Sequence, residues 1–194
     1  IAQQFANVSL IATTSILKVF WKEIAEAQER HDEARVRRLY RVVSRGLFFA
    51  GAWLSCLLIP YTQEILRWTL GGGYEGAWLC VALLLLYPVH QSMGQIGGTY
   101  LYATGETGPY TRLGLATMGV SLPTAYLLLA SPSARIPGAG LGAIGLAIKM
   151  VVLQAVSVNL QAYVIARKQG WPYQVGYQII GLGALLSLGV LCKW

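Results

Sequence analysis

Apolar residues dominate this chain in six long runs, each about as long as a helix that crosses a bilayer. The runs cover residues 1–21, 47–67, 77–104, 112–131, 139–166 and 174–193. A membrane-spanning helix needs about 20 apolar residues, because the hydrocarbon core of a bilayer is about 30 Å thick. The pattern therefore predicts an all-α polytopic membrane helix bundle with about six transmembrane helices.

The run from Trp78 to Thr104 changes character in its middle. Residues 81–86 are almost pure hydrocarbon, Pro88 interrupts the run, and polar residues follow. At 100° per residue, one helix face carries the polar or small residues His90, Gln91, Gly94, Gln95, Gly98 and Tyr102. Such a face is costly in a membrane unless it meets protein or water. We therefore expect a kinked helix that forms one wall of a cavity.

Residues 22–46 form the long polar stretch of the chain. Asp32 is a candidate N-cap for a helix whose apolar residues recur at helical spacing, namely Val36, Leu39, Tyr40 and Val43. The opposite side carries Arg35, Arg38, Arg41 and Arg45. This pattern predicts a cytoplasmic amphipathic helix at the membrane surface, with its arginines among lipid headgroups. A basic catalytic or RNA-binding patch is the alternative, but no aromatic interleaving or second basic element supports it.

The distribution of Lys and Arg predicts the orientation of the bundle. With alternating helices, residues 22–46 share one side with the 105–112 and 167–173 loops, and this side holds ten Lys and Arg residues. The opposite side holds three, which are Arg67, Arg135 and Lys193. Since cytoplasmic loops carry the excess of positive charge, we expect the first side to be cytoplasmic. The short 68–76 and 132–138 loops then face outward.

Composition supports a membrane protein and argues against catalysis. Hydrophobic residues make up 55% of the chain and charged residues 12%, whereas soluble domains have about 25% charged residues. The net charge of +7 is concentrated in one segment, so a nucleic-acid partner is not expected. Cys56, Cys80 and Cys192 lie in apolar runs without the spacing of a metal or redox site. No paired intramembrane carboxylates and no catalytic motif occur, so we expect no enzyme activity, no metal and no cofactor.

Polar side chains at membrane depth are the candidates for a substrate cavity. The predicted lining residues are Lys149, His90, Gln91, Gln95, Gln154, Ser157, Gln161 and Lys18. Lys149 either contacts a solute or extends to the headgroups, and it lies about 140° around the helix from Gln154. Lys18 either anchors the chain at the interface or lines the cavity, and His90 either lines it or contacts a neighbouring helix. Because these charges are basic, the cavity suits an anionic solute or headgroup rather than a cation.

Two long stretches resemble a known family. They are YPVHQSMGQIGGTYLYATGETGPYTRLGLATMGVSLPTAYLLL (87–129) and GAGLGAIGLAIKMVVLQAVSVNLQAYVIAR (138–167). They are similar to the C-terminal half of bacterial polysaccharide exporters, the Wzx-type, O-antigen-flippase-like members of the multidrug/oligosaccharidyl-lipid/polysaccharide superfamily. Residues 22–45 resemble the basic cytoplasmic connection of these proteins, so the resemblance covers nearly all of the chain. Glu106 departs from it, because relatives often have a basic residue at this turn.

The resemblance implies that residues 1–194 are the C-terminal lobe of a two-lobed flippase whose N-terminal part is missing. The implied solute is an oligosaccharide on undecaprenyl diphosphate, moved across the bacterial inner membrane to the outer leaflet. Membrane lipids, a polysaccharide polymerase and its chain-length machinery are the implied partners. Three alternatives remain. A cation-coupled multidrug exporter of the same superfamily needs a membrane-depth carboxylate, a glycan polymerase or ligase needs a large outward loop, and a structural subunit needs no cavity.

Overall fold

The computed structural model describes residues 17–193, and this part of the chain is helical without a β-strand. Five stretches are long and apolar enough to cross a membrane, namely Glu33–Leu70, Gly72–Ala103, Thr107–Leu129, Gly142–Lys168 and Gly176–Lys193. The predicted all-α polytopic membrane bundle is therefore confirmed. The first predicted run, residues 1–21, lies almost entirely outside the described residues.

The described part contains eight α-helices. Helix α1 is described over residues 17–29. The others are α2 (Glu33–Leu58), α3 (Thr62–Leu70), α4 (Trp78–Leu85), α5 (Tyr87–Ala103), α6 (Thr107–Leu129), α7 (Gly142–Lys168) and α8 (Gly176–Lys193). Short 3-10 helices at Ile59–Tyr61 and Gly72–Ala77 flank α3. The main helix contacts join α2 to α5 and α8, and α7 to α4, α5 and α6.

The amphipathic segment belongs to a longer helix. Asp32 is the N-cap, as predicted, and its carboxylate accepts a hydrogen bond from the Arg35 N–H at 2.9 Å. The helix then continues without interruption to Leu58. Its apolar stripe packs on protein, since the centres of the Tyr40 and Tyr100 rings lie 5.2 Å apart. The segment thus differs from the separate surface helix that was predicted, because its apolar side covers α5 rather than lipid.

The interruption that the sequence places at Pro88 is present at the junction of α4 and α5. Helix α4 ends at Leu85, and Pro88 lies in the first turn of α5, where its missing N–H loses no hydrogen bond. Leu86 between them keeps helical backbone angles, with φ −77° and ψ −18°. The two helices therefore form one interrupted span.

Consecutive spans run in opposite directions, so their connections gather at two ends of the bundle. At one end, the Lys168 ammonium at the close of α7 pairs with the Glu106 carboxylate before α6. At the other end, the Lys193 ammonium lies 3.0 Å from the Glu64 carboxylate. We call the first end the basic end; it is formed by residues 22–46, 105–112 and 167–175. The grouping of loops on which the predicted orientation depends is thus present in the fold.

Three helices close at the basic end with the same turn. A residue with positive φ follows each helix, namely His31 (54°), Gly105 (73°) and Gly170 (63°). The next N–H then bonds back to a carbonyl five residues earlier, from Asp32 to Ala27 at 2.9 Å, from Glu106 to Leu101 at 2.7 Å and from Trp171 to Ala166 at 2.8 Å. This is the Schellman motif, in which glycine is favoured because it has no Cβ. The motif fixes the direction in which each connection leaves its helix.

Candidate anion-binding cleft

Trp171 is brought onto α2 by the turn that ends α7. Its N–H bonds to the Ala166 carbonyl, so the chain folds back over the basic end. The Trp171 ring then lies 5.8 Å from the Tyr40 ring and 5.9 Å from the Tyr100 ring, between centres. Residues 169–175 therefore pack against α2, although more than 120 residues separate them in sequence.

A cleft of about 80 Å³ opens between α2, this connection and the start of α8. We call it the arginine cleft. Its charged wall on α2 and its aromatic wall opposite are formed by Arg37, Arg41, Arg45, Trp171, Tyr173 and Tyr177. The three arginines recur every four residues, which places them on one helix face about 6 Å apart. Like charges at this spacing destabilise a helix unless an anion lies near them.

The arginines of the cleft differ in their contacts. The Arg45 guanidinium donates a hydrogen bond to the Gln174 Oε1 and lies 4.8 Å from the centre of the Tyr177 ring. The Arg37 Nε is buried without a hydrogen-bond partner among residues 17–193. Arg41 is exposed. The cleft therefore presents guanidinium groups to any ligand that enters it, and the Nε of one of these groups is desolvated.

Acidic side chains do not neutralise this row. The carboxylates of Glu64, Glu75 and Glu106 each pair with a cation outside the cleft. Glu23 pairs with Arg35 at 2.5 Å. In the described part, no salt bridge reaches the three cleft arginines, and residues 1–16 contain no Asp or Glu. The cleft thus has an excess of positive charge.

The polar stripe predicted on α7 packs against its neighbours. Gln161 is 8% exposed and lies against Gly97 of α5, where a Cβ atom would come within 2.9 Å of its Cδ. The Gln154 Nε2 would lie 3.5 Å from a Cβ atom at Gly94, an ordinary contact, and the Ser157 hydroxyl lies 3.1 Å from the Thr117 hydroxyl of α6. These three residues therefore join α7 to α5 and α6.

His90 lies in the core beside α2. Its ring centre lies 6.1 Å from that of Phe48 on α2, and its Nδ1 has no hydrogen-bond partner within residues 17–193. His90 is therefore packed inside the bundle and lines neither cleft.

A polar network lies between α7 and α8, and it confirms the prediction from the sequence that Asn159 bonds a neighbouring helix. The Asn159 Nδ2 donates to the Gln178 Oε1 at 3.1 Å, and the Gln178 Nε2 donates back to the Asn159 Oδ1 at 3.0 Å. The Tyr173 hydroxyl donates to the same Oδ1 at 3.1 Å, and burial raises the pKa of this hydroxyl, which keeps it protonated as a donor. Gln178 was not predicted as the partner, although it is likewise an amide inside an apolar run.

Lys18 lies in a second, wider cleft between α1 and α5. Lys22, Thr99 and Tyr102 line it as well. Gln91 and Gln95 are half-buried and precede Thr99 at four-residue intervals, so they lie on the same face of α5. Gln91, Gln95 and Tyr102 belong to the polar face predicted for residues 78–104, and at Tyr102 this face borders the cleft that holds Lys18 and Lys22.

Lys149 is half-exposed on α7 and lines neither cleft. Its ammonium has no ion-pair partner among the described residues. The eight predicted site residues therefore fall into separate places: the α5–α7 contact, the His90 core position, the Lys18 cleft and the isolated Lys149.

Comparison with known proteins adds no assignment to this geometry. No family model, curated protein or solved structure matches the chain. Within residues 17–193, no three His, Cys, Asp or Glu side chains are grouped so that they could hold a metal ion. The arginine cleft, which combines unpaired cations with aromatic side chains, is the strongest candidate for a binding site.

Proposed function

We propose that this chain forms the C-terminal lobe of a flippase that moves oligosaccharides linked to undecaprenyl diphosphate. One observation carries the proposal. Among residues 17–193, the carboxylates beyond Glu33 are all ion-paired, whereas Lys149 and the arginines of the cleft have no ion-pair partner. The uncompensated charge of the spans and of the basic end is therefore positive, and this favours an anionic amphipathic solute.

The proposed direction of transport is from the basic end to the opposite end. If the basic end is cytoplasmic, the arginine cleft and the Lys18 cleft both lie where a headgroup would first arrive. The solute would then pass along the polar face of α5, and the lobes would rock between two states, as in other alternating-access transporters. The bacterial inner membrane is the proposed location, and the polymerase and its chain-length machinery are the proposed partners.

The competing transporter of the same superfamily is a cation-coupled drug exporter. It would use a carboxylate at membrane depth. Glu64, Glu75 and Glu106 all lie outside the middles of the spans, at or beyond the helix ends, and each has its cation. This distribution favours the lipid-linked glycan.

Reconstitution tests the function directly. The complete protein is placed in liposomes that contain undecaprenyl diphosphate with a labelled oligosaccharide in both leaflets. The fraction of label destroyed by a membrane-impermeant oxidant should rise from about half to nearly all as the protein exchanges the leaflets. Exchange no faster than in protein-free liposomes would contradict the proposal.

Among the residues at membrane depth, Lys149 is the one whose charge we expect to contribute to transport. Lys149→Ala and Lys149→Gln should both slow the exchange of labelled lipid, because each removes an unpaired cation. Arg135→Gln, which removes an exposed charge between α6 and α7, is the matched control. Normal exchange by both Lys149 variants would remove Lys149 from the pathway.

A further inference from the structure

The arginine side chains of the cleft are held in place, which contact with lipid headgroups alone does not require. Basic side chains that only contact headgroups are solvated and separately mobile. Here the Arg37 Nε is buried without a partner in the described part of the chain, and the Arg45 guanidinium is held by Gln174 and the Tyr177 ring. The donors are thus positioned in advance, as they are in a binding site.

We propose that the arginine cleft binds a phosphate or diphosphate group. Guanidinium groups match the oxygens of phosphate in pairs of parallel hydrogen bonds, and this geometry makes arginine a favoured phosphate ligand. A phosphate in the cleft would pair with the guanidinium groups that line it and would screen the repulsion within the row of Arg37, Arg41 and Arg45. A metal cation would do neither, since no carboxylate lines the cleft.

The opposite wall indicates what the phosphate is attached to. Trp171 and Tyr173 line the cleft beside the arginines, and Pro172 lies between them. An aromatic wall next to a cationic wall suits an anion that carries an apolar or ring-shaped group. A lipid-linked headgroup and a free phosphate both carry the anion that the arginines would bind. Only the headgroup also carries a group that would contact the aromatic wall.

The choice of a diphosphate rests on the proposed function, whereas binding itself can be measured without transport. The complete protein is placed in nanodiscs of uncharged phosphatidylcholine and titrated by calorimetry with inorganic pyrophosphate and with geranyl diphosphate. Empty nanodiscs give the background. We expect saturable binding of pyrophosphate that weakens as salt is raised, because the contacts are ionic.

Substitution of Arg41 locates the site. Arg41 is exposed and forms no hydrogen bond through its side chain in the described structure, so Arg41→Gln should fold normally. It should weaken pyrophosphate binding about tenfold, and Arg41→Lys should lie between this variant and the parent. Arg112→Gln removes the same charge at the same end but outside the cleft, and it should change the affinity by less than about twofold.

The outcomes separate the possibilities. Binding of geranyl diphosphate at least about tenfold tighter than that of pyrophosphate supports a lipid-linked ligand, and equal affinities support a free phosphate. Binding no stronger than to empty nanodiscs, or equal losses in Arg41→Gln and Arg112→Gln, would overturn the proposal. If the protein binds pyrophosphate but does not exchange the labelled lipid, the proposed phosphate site stands and the proposed flippase function is wrong.

Discussion

A Cβ atom on Gly97 of α5 would lie 2.9 Å from the Cδ of Gln161 on α7. Gln161 is 8% exposed, so its amide has little room to move away. Two α5 glycines, Gly94 and Gly97, face α7 in this manner. Glycine is thus needed on this face because the helices approach closely, as small residues allow in membrane bundles.

Gly97→Ala should therefore destabilise the bundle by about 1–3 kcal/mol, the usual cost of overpacking. The measurement is reversible unfolding in mixed micelles. Gly114→Ala on α6 is the control, because nothing lies within 4 Å of a Cβ atom there. This control should be neutral or stabilising by up to about 1 kcal/mol, since alanine is the better helix former. Equal effects of the two variants would contradict the close contact.

The backbone conformation of His31 predicts how substitutions at this position change thermal stability. It has φ 54° in the turn between α1 and α2, and its side chain is exposed. This backbone conformation costs an L-residue about 1–2 kcal/mol of free energy, and glycine does not have this cost because it has no Cβ. His31→Gly should therefore raise the midpoint of thermal unfolding, whereas His31→Val should lower it, because β-branched residues fit this region worst. The opposite order would show that the turn has another conformation.

The network between α7 and α8 predicts a coupling energy. Asn159 and Gln178 exchange two hydrogen bonds, so removal of either amide leaves the other short of partners. We expect Asn159→Leu and Gln178→Leu to interact by about 0.6–1.7 kcal/mol in a double-mutant cycle of unfolding free energies. A cycle of Asn159→Leu with Thr124→Val on α6 should be additive, because the Thr124 hydroxyl donates to the Val120 carbonyl of its own helix.

Hydropathy and local motifs were sufficient to predict much of the fold. Five of the predicted spans, the Asp32 cap and the interruption at Pro88 were confirmed, because each depends on residues that are close in sequence. The continuity of α2 was missed, since the sequence does not say whether the apolar stripe near Tyr40 meets lipid or protein. That choice depends on Tyr100 and Trp171, which are distant in the chain.

The site was less predictable for the same reason. The spacing of Arg37, Arg41 and Arg45 is visible in the sequence, and so is the Trp171–Tyr173 motif. Only the turn at Gly170 and the antiparallel packing of the helices bring the two together. The candidate site residues at membrane depth were selected because a polar side chain there is unfavourable in free energy unless it meets protein or water. This criterion does not distinguish a residue that lines a cavity from one that contacts a neighbouring helix, as Gln161 contacts Gly97.

The sidedness of the bundle gives the last prediction. The basic end holds Arg112, which is exposed near the start of α6, and the opposite end holds Arg135, which is exposed between α6 and α7. Single cysteines at these positions, after replacement of Cys56, Cys80 and Cys192 by serine, should be reached by an impermeant maleimide from opposite faces of the membrane. If the basic end is cytoplasmic, Arg135→Cys reacts in intact spheroplasts and Arg112→Cys reacts only after permeabilisation. A cysteine in place of the exposed Arg41 should follow Arg112→Cys, because the arginine cleft opens at the same end. Reaction of Arg41→Cys together with Arg135→Cys would place the cleft on the outer face and would contradict the proposed direction of transport.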